Sequence, residues 1–236
     1  MAAESIADVT VVTPCIPERA FLKGSGNGML GDCIASVESQ MVKPRRHIIG
    51  IDYERVGCAV MMNDLVKAVD TEWIIPLADD DLLLKNYIAE MVTAAGTAAV
   101  TYSRPIAVGA DWAPRRYEFS AVELRKENYI PSTALIRTEM WRKVGGYRRT
   151  NEPSEAPFWD KWRAEHNFTA DMFPDDWDFW LRVLDRQGHF RHVPSRNWVY
   201  RMHPGNLFNQ PKLRGEGIRA AVTASGPHGL VEIPSG

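Results

Sequence analysis

Three consecutive carboxylates, Asp79, Asp80 and Asp81, follow an apolar run at residues 73–77. Charges of one sign held this close repel one another. A divalent cation removes that repulsion and binds well to hard oxygen ligands. Magnesium keeps one or two protein carboxylates and completes its shell with water and substrate phosphates. The plainer reading is a solvated turn in which one Asp caps the next helix. A second acidic group, Asp175, Asp176 and Asp178, comes just after Pro174 and opens an aromatic-rich helical pattern. Here a carboxylate caps the helix and meets its dipole, or it stands beside a reacting hydroxyl as a general base. His203, in Tyr200-Arg201-Met202-His203-Pro204-Gly205, follows a short strand pattern. It is either a metal or phosphate ligand or an ordinary histidine.

Weaker signals carry less. Gly26, Gly28 and Gly31 spell G-x-G-x-x-G, with Asp52 further on. The dinucleotide fingerprint requires its glycines immediately after a strand. Pro14, Pro17 and several polar residues intervene here, so flexible-loop glycine is the better account. Cys15 lies at a strand end without a nearby histidine and reads as an idle thiol. Trp159, Trp162, Trp177, Trp180 and Trp198 read mainly as core, although sugar rings stack on such faces.

The elements that must position these residues alternate over the first 103 positions. Residues 9–13 are β-branched and apolar, as in a strand buried on both faces. A glycine-rich loop at 18–31 follows, then a helix from Asp32, as its cap, to about Gln40. Pro44 breaks the chain before a strand at 47–51. A helix at 57–69, a strand at 73–77, a helix at 82–95 and a strand at 98–102 complete the series. This order predicts an α/β fold with a parallel, doubly wound sheet and a ligand site at the strands' carboxyl ends. The second half predicts a strand at 132–137, a short helix, a Gly145-Gly146 turn, a helix at 177–186 and a strand at 197–201. Between them, residues 148–174 read as a long loop, functional or mobile. A polar tail, 211–236, is expected to be partly disordered.

Composition excludes other classes. The chain has 236 residues and a formal net charge of -2, against a nucleic-acid-binding surface. Its three cysteines show no metal spacing and read as reduced thiols. There is no apolar leader, and no run approaches a membrane span, so the expected location is the cytoplasm. The sequon at 167–169 carries no meaning there.

Taken in order, the motifs resemble glycosyltransferase family 2, which has the GT-A fold. Thr10-Val11-Val12-Thr13-Pro14 with Pro17-Glu18-Arg19 is similar to the family's first strand and "TP…R" loop. Ile48-Ile49-Gly50-Ile51-Asp52 resembles its second strand. Val60-Met61-Met62-Asn63 and Thr71-Glu72-Trp73-Ile74 match the helix and strand before its metal motif. Ala78-Asp79-Asp80-Asp81-Leu82 matches the DxD region. Ile130-Pro131-Ser132-Thr133-Ala134-Leu135-Ile136 and Val144-Gly145-Gly146-Tyr147 look like the acceptor-side segment. Asp175-Asp176-Trp177-Asp178-Phe179-Trp180-Leu181-Arg182 and Val199-Tyr200-Arg201-Met202-His203-Pro204-Gly205 resemble the "EDxDLWLRL" helix and "YRxHPG".

The resemblance implies a single GT-A domain over residues 1–210, its nucleotide-sugar-binding half at 8–103 and its acceptor half at 104–210. It implies an inverting, metal-dependent glycosyltransferase using Mn2+ or Mg2+ and a UDP-, GDP- or dTDP-linked sugar. The acceptor would be a glycan, lipid or protein. Thr13, Pro14, Glu18 and Asp52 would line the nucleotide pocket, joined by Asp79 and Asp80. Asp80, Asp81 and His203 would hold the metal, and Asp176 would be the base. There are departures. Ala78 stands at the first acidic position, Met62 replaces a common arginine and Asp175 replaces a glutamate. A one-residue slip would make Asp79 and Asp81 the D-x-D pair. The rival readings are an inactive nucleotide- or carbohydrate-binding module and a nucleotidyltransferase.

Overall fold

The computed structural model describes residues 5–20, 28–109, 118–148, 156–165, 175–203 and 229–234. Its centre is an eight-stranded sheet in the order β4-β7-β5-β6-β3-β1-β2-β8. The strands are β1 (Ser5–Cys15), β2 (Val42–Ile51), β3 (Trp73–Pro76) and β4 (Leu82–Leu83). They continue with β5 (Val100–Val108), β6 (Ala134–Arg137), β7 (Phe190–Arg201) and β8 (Gly229–Pro234). β1 pairs in parallel with β2 on one side and β3 on the other. β5 and β7 are also parallel, while β6 joins β3 and β5 antiparallel. The α/β class and the strand–helix alternation of the first half are as the sequence predicts.

Alternation along each strand sends side chains to two cores. Val12 and Ile74 join one, with Met61 and Leu65 of α3 (Cys58–Lys67), Trp141 of α6 (Thr138–Val144) and Phe179 and Trp180 of α8 (Asp175–Asp185). Val9, Val11 and Ile75 join the other, with Cys33 and Val37 of α2 (Gly28–Glu38) and Tyr87, Ile88 and Met91 of α4 (Tyr87–Ala95). Burying such a side chain stabilises the fold by about 1.5–3 kcal/mol. Short helices α1 (Pro17–Ala20) and α5 (Ala121–Leu124) sit in connections. Trp162, Trp177, Trp180 and Trp198 are buried, as expected of core residues; the side chain of Trp159 lies outside the description.

Several boundaries differ from expectation, each for a local reason. Asp32 is inside α2 rather than capping it, because the helix already starts at Gly28; its carboxylate pairs with Arg201 Nη1 at 2.9 Å. Leu82 and Leu83 start no helix: they pair with Val199 and Trp198 of β7 and tie the acidic loop to that strand. Pro44 does not break the chain but lies within β2 opposite Ala7. β8 pairs only from Arg46 onward, so the amide that Pro44 lacks meets no partner strand there. The 148–174 segment contains a helix, α7 (Ala156–Glu165); the remainder beyond Arg148 is outside the described residues, as is the sequon. In the tail, residues 229–234 form β8, antiparallel to β2; residues 211–228 are outside the described residues. No helix among the described residues is long and apolar enough to cross a membrane.

Candidate active site

The carboxyl ends of β1, β2 and β3 open on one edge of the sheet. This is where ligands bind in open α/β sheets. The amide of Asp52, just past β2, donates to the Cys15 carbonyl at the end of β1 (2.7 Å). Its carboxylate accepts from the amides of Val56 (2.9 Å) and Gly57 (2.8 Å) and so folds the β2–α3 turn. Gly57 makes this turn with a φ of 92°, a left-handed value that favours glycine. Pro14 is half-buried beside it, and Glu18 is exposed on α1, paired with Arg55. Thr13 lies deeper. It is fully buried, with its hydroxyl 2.9 Å from His47 Nε2.

The acidic loop follows β3, whose neighbour Leu77 donates to the Val12 carbonyl (3.0 Å). All three carboxylates are buried, yet they face different partners. Arg19 Nη1 bridges Asp79 Oδ1 (2.7 Å) and Asp80 Oδ2 (2.9 Å). Asp80 Oδ2 also lies 3.1 Å from His203 Nε2. Asp81 Oδ1 instead accepts from the Arg201 amide at 3.1 Å. Arg201 then spends its whole guanidinium nearby. Nε donates to the Asp80 carbonyl, Nη1 to Asp32, and Nη2 to the Met29 carbonyl (3.0 Å).

Burial raises the Asp79 carboxyl, against the pull of Arg19. It raises Asp81 well above the carboxylate range, helped by repulsion from Asp80. Burial and the Asp79 charge also push the Cys15 thiol up, so Cys15 is no thiolate nucleophile.

These residues bear on cation binding in two ways. Asp79 Oδ2 is buried without a hydrogen-bond partner, and Asp80 converges with His203. No group of three or more His, Cys, Asp or Glu side chains among the described residues is arranged to hold a metal. The donor set therefore fits a cation that takes most of its shell from water and phosphate, not one caged by protein.

The second acidic group divides. Asp178 is buried and structural: its oxygens take Arg148 (3.0 Å) and Arg182 (2.8 Å). Arg182 also donates to the carbonyls of Val144 (2.6 Å) and Gly146 (2.7 Å), fixing the turn after α6. From α3, Asn63 holds the same turn, donating to the Tyr147 carbonyl (2.7 Å) and accepting from its amide (2.9 Å). Asp175 and Asp176 remain at the start of α8, half-buried. Asp176 Oδ1 accepts from the Trp177 amide (2.7 Å), and Oδ2 accepts from Asn128 Nδ2 (3.1 Å). Asp175 Oδ1 accepts from the Asp176 amide at 3.0 Å. Burial raises both carboxyls; it pushes Asp175, which also faces the Asp176 charge, up to about 7.

The two acidic groups lie within reach of one another's charge. Tyr200 on β7 feels Asp81, Asp80 and Asp176 together, and burial with these charges pushes its hydroxyl up to about 12. Cys58, exposed at the start of α3, lies in the field of Asp175, Asp79, Asp176 and Asp52. Thus Pro14, Asp52, Asp79, Asp80, Asp81, Asp176 and His203 come to one edge, with Thr13 beneath them. Sequence reading missed Asn128 altogether. Its partner is 48 positions away, and no local pattern marks it.

No protein-family model matches the sequence, and no curated protein matches it. The three-dimensional structure does have relatives. It is similar to TarS 1-349 from S. aureus in complex with UDP-GlcNAc, with a TM-score of 0.59 and 9% identity over 84% of this chain and 59% of that one. For the same TarS piece in complex with UDP the TM-score is 0.54, at 10% identity over 83% and 61%. A mannosyltransferase from Pyrobaculum calidifontis, PcManGT, in complex with GDP-Man and Mn2+, gives 0.53 at 12% identity over 82% and 56%. The chain spans about three-fifths of the length of these structures. At such identities the likeness is one of fold: this chain has the GT-A fold of nucleotide-sugar glycosyltransferases.

Proposed function

We propose that the chain is an inverting glycosyltransferase of family 2. It would move a sugar from a nucleotide-diphosphate donor to an acceptor hydroxyl. The observation that supports this most is the gathering of acidic groups at the carboxyl ends of β1–β3: an acidic loop that meets His203, with the Asp175–Asp176 pair within its field. Residues 8–103 would bind the donor and residues 104–210 the acceptor.

The base of a UDP-, GDP- or dTDP-linked sugar would lie between Pro14, Glu18 and Asp52, with Thr13 supporting the floor. Asp79 and Asp80 would face the ribose and diphosphate. Asp80 and His203 would hold Mn2+ or Mg2+; Asp81 would join through the oxygen that does not accept from Arg201. What such a cation supplies when bound is neutralisation of charge on the departing diphosphate. Asp176 would accept the acceptor's proton as its oxygen attacks the anomeric carbon. General base action of this kind contributes about 10²–10⁴-fold. One displacement, without a covalent sugar–enzyme link, inverts the anomeric centre.

The test is Asp176→Asn. Donor binding by calorimetry with Mn2+ should survive, while release of nucleoside diphosphate into a glycoside product should fall by at least a hundredfold. Transfer at a near-normal rate in Asp176→Asn would remove Asp176 as the base. One observation favours a second reading, a binding module without catalysis: Arg19 already lies between Asp79 and Asp80. Nucleoside diphosphate binding without any transfer by the unaltered protein would support it.

A further inference from the structure

We propose that Asn128 is a positioning residue that holds Asp176 as the proton-accepting carboxylate of the Asp175–Asp176 pair. The inference rests on the reading of Asp176 as the base. Two adjacent carboxylates in one partly buried site do not both ionise freely; they titrate as a pair. Neither forms an ion pair among the described residues, because the nearby Arg148 and Arg182 are both on Asp178. What separates them is the number of donors. Asp175 receives one amide, that of Asp176. Asp176 receives two donors on separate oxygens, the Trp177 amide and the Asn128 side chain. Hydrogen bonds to the charged form favour it, so the proton of the pair resides on Asp175.

The amides belong to the start of α8 and cannot be varied. Asn128 comes from outside the helix. Its own backbone is anchored by the neighbouring Tyr129, whose hydroxyl accepts from the Ser120 amide (2.8 Å) and donates to the Ser120 carbonyl (3.0 Å). An amide suits the task, since it donates at every pH and never competes for the proton. The other groups facing the pair are Asp178 on α8, Tyr147 after α6, Cys58 on α3 and Tyr200 on β7. Burial keeps Tyr147 and Tyr200 protonated through the neutral range. Asp178 forms ion pairs with Arg148 and Arg182. Burial and the Asp176 charge push Asp175 to about 7, whereas the Trp177 and Asn128 hydrogen bonds act against the rise at Asp176.

The experiment follows the aspartate carboxyl carbons by NMR against pH in the full, ligand-free chain, for wild type, Asn128→Ala and Asn128→Gln. In Asn128→Ala the lower step of the pair should move up, and in Asn128→Gln it should return toward wild type. The acidic limb of kcat/KM should move up in parallel, by up to about tenfold in kcat/KM on that limb, with donor KM unchanged. Unmoved carboxyl titrations in Asn128→Ala overturn the proposal, whether or not activity falls. A titration that moves in a protein that transfers no sugar supports the Asn128 effect and instead removes the function assigned to Asp176.

Discussion

Arg19 is the residue whose position has the clearest energetic consequence. It is a cation already lodged between two buried carboxylates, with its side chain only 15% exposed. Removing one partner of a buried pair leaves uncompensated charge, at a cost of about 3 kcal/mol. Arg19→Met should therefore lower the melting temperature of the metal-free protein, and millimolar Mn2+ should restore more stability to this variant than to wild type. An equal Mn2+ response in both would mean that the guanidinium and the ion do not share a site. His47 gives a pH test. Burial holds its imidazole down to about 4, from an ordinary 6.5. The folded state then binds fewer protons than the unfolded between those values. Its contribution is complete above about 6.5 and is lost as pH falls toward 4, by about 3 kcal/mol in all. In urea titrations, the stability advantage of wild type over His47→Gln should shrink over that window. A gap that stays constant would mean that His47 is not held neutral.

Among the elements, the turn between α6 and the helices around it decides how well α8 presents its carboxylates. Gly145 and Gly146 have φ of 84° and 69°. A Cβ at Gly145 would meet nothing, whereas one at Gly146 would sit 2.2 Å from Asn63 Oδ1. Gly145→Ala should cost about 1 kcal/mol, the left-handed strain alone. Gly146→Ala should cost clearly more by chemical denaturation, and it should reduce transfer by freeing α8 from α3; equal costs would show that the Asn63 contact is dispensable. This turn was legible in the sequence as a glycine pair, α3 from its helical spacing, and β1 and β3 from their apolar runs. The two-residue β4 was not, because Leu82-Leu83 carries no period and forms only against β7. By residue type alone Asp175, Asp176 and Asp178 looked equivalent, and only the family resemblance singled out Asp176. Tertiary partners, two arginines and one asparagine, divide them into structural and chemical members. The same holds at the acidic loop. Its position was plain from the run of aspartates, but the different partners of Asp79, Asp80 and Asp81 depend on Arg19, His203 and Arg201, which are distant in sequence.

For the molecule as a whole, the last strand forms one edge of the sheet. β8 covers Arg46–Ile51 of β2. A chain ended after residue 210 would exchange the six-residue β8 edge, which ends in Pro234, for the ten-residue β2 as an open edge, the kind that pairs with other chains. It should self-associate at concentrations where the full chain is monodisperse in light scattering; a truncated chain that stays monodisperse would show β8 to be dispensable. Across the opposite part of the molecule, Arg201 draws β7, the acidic loop and α2 together through three differently aimed nitrogens. A lysine keeps the charge but offers one compact ammonium in place of a rigid fork. The exchange that substitution matrices treat as mildest is therefore closed at this position.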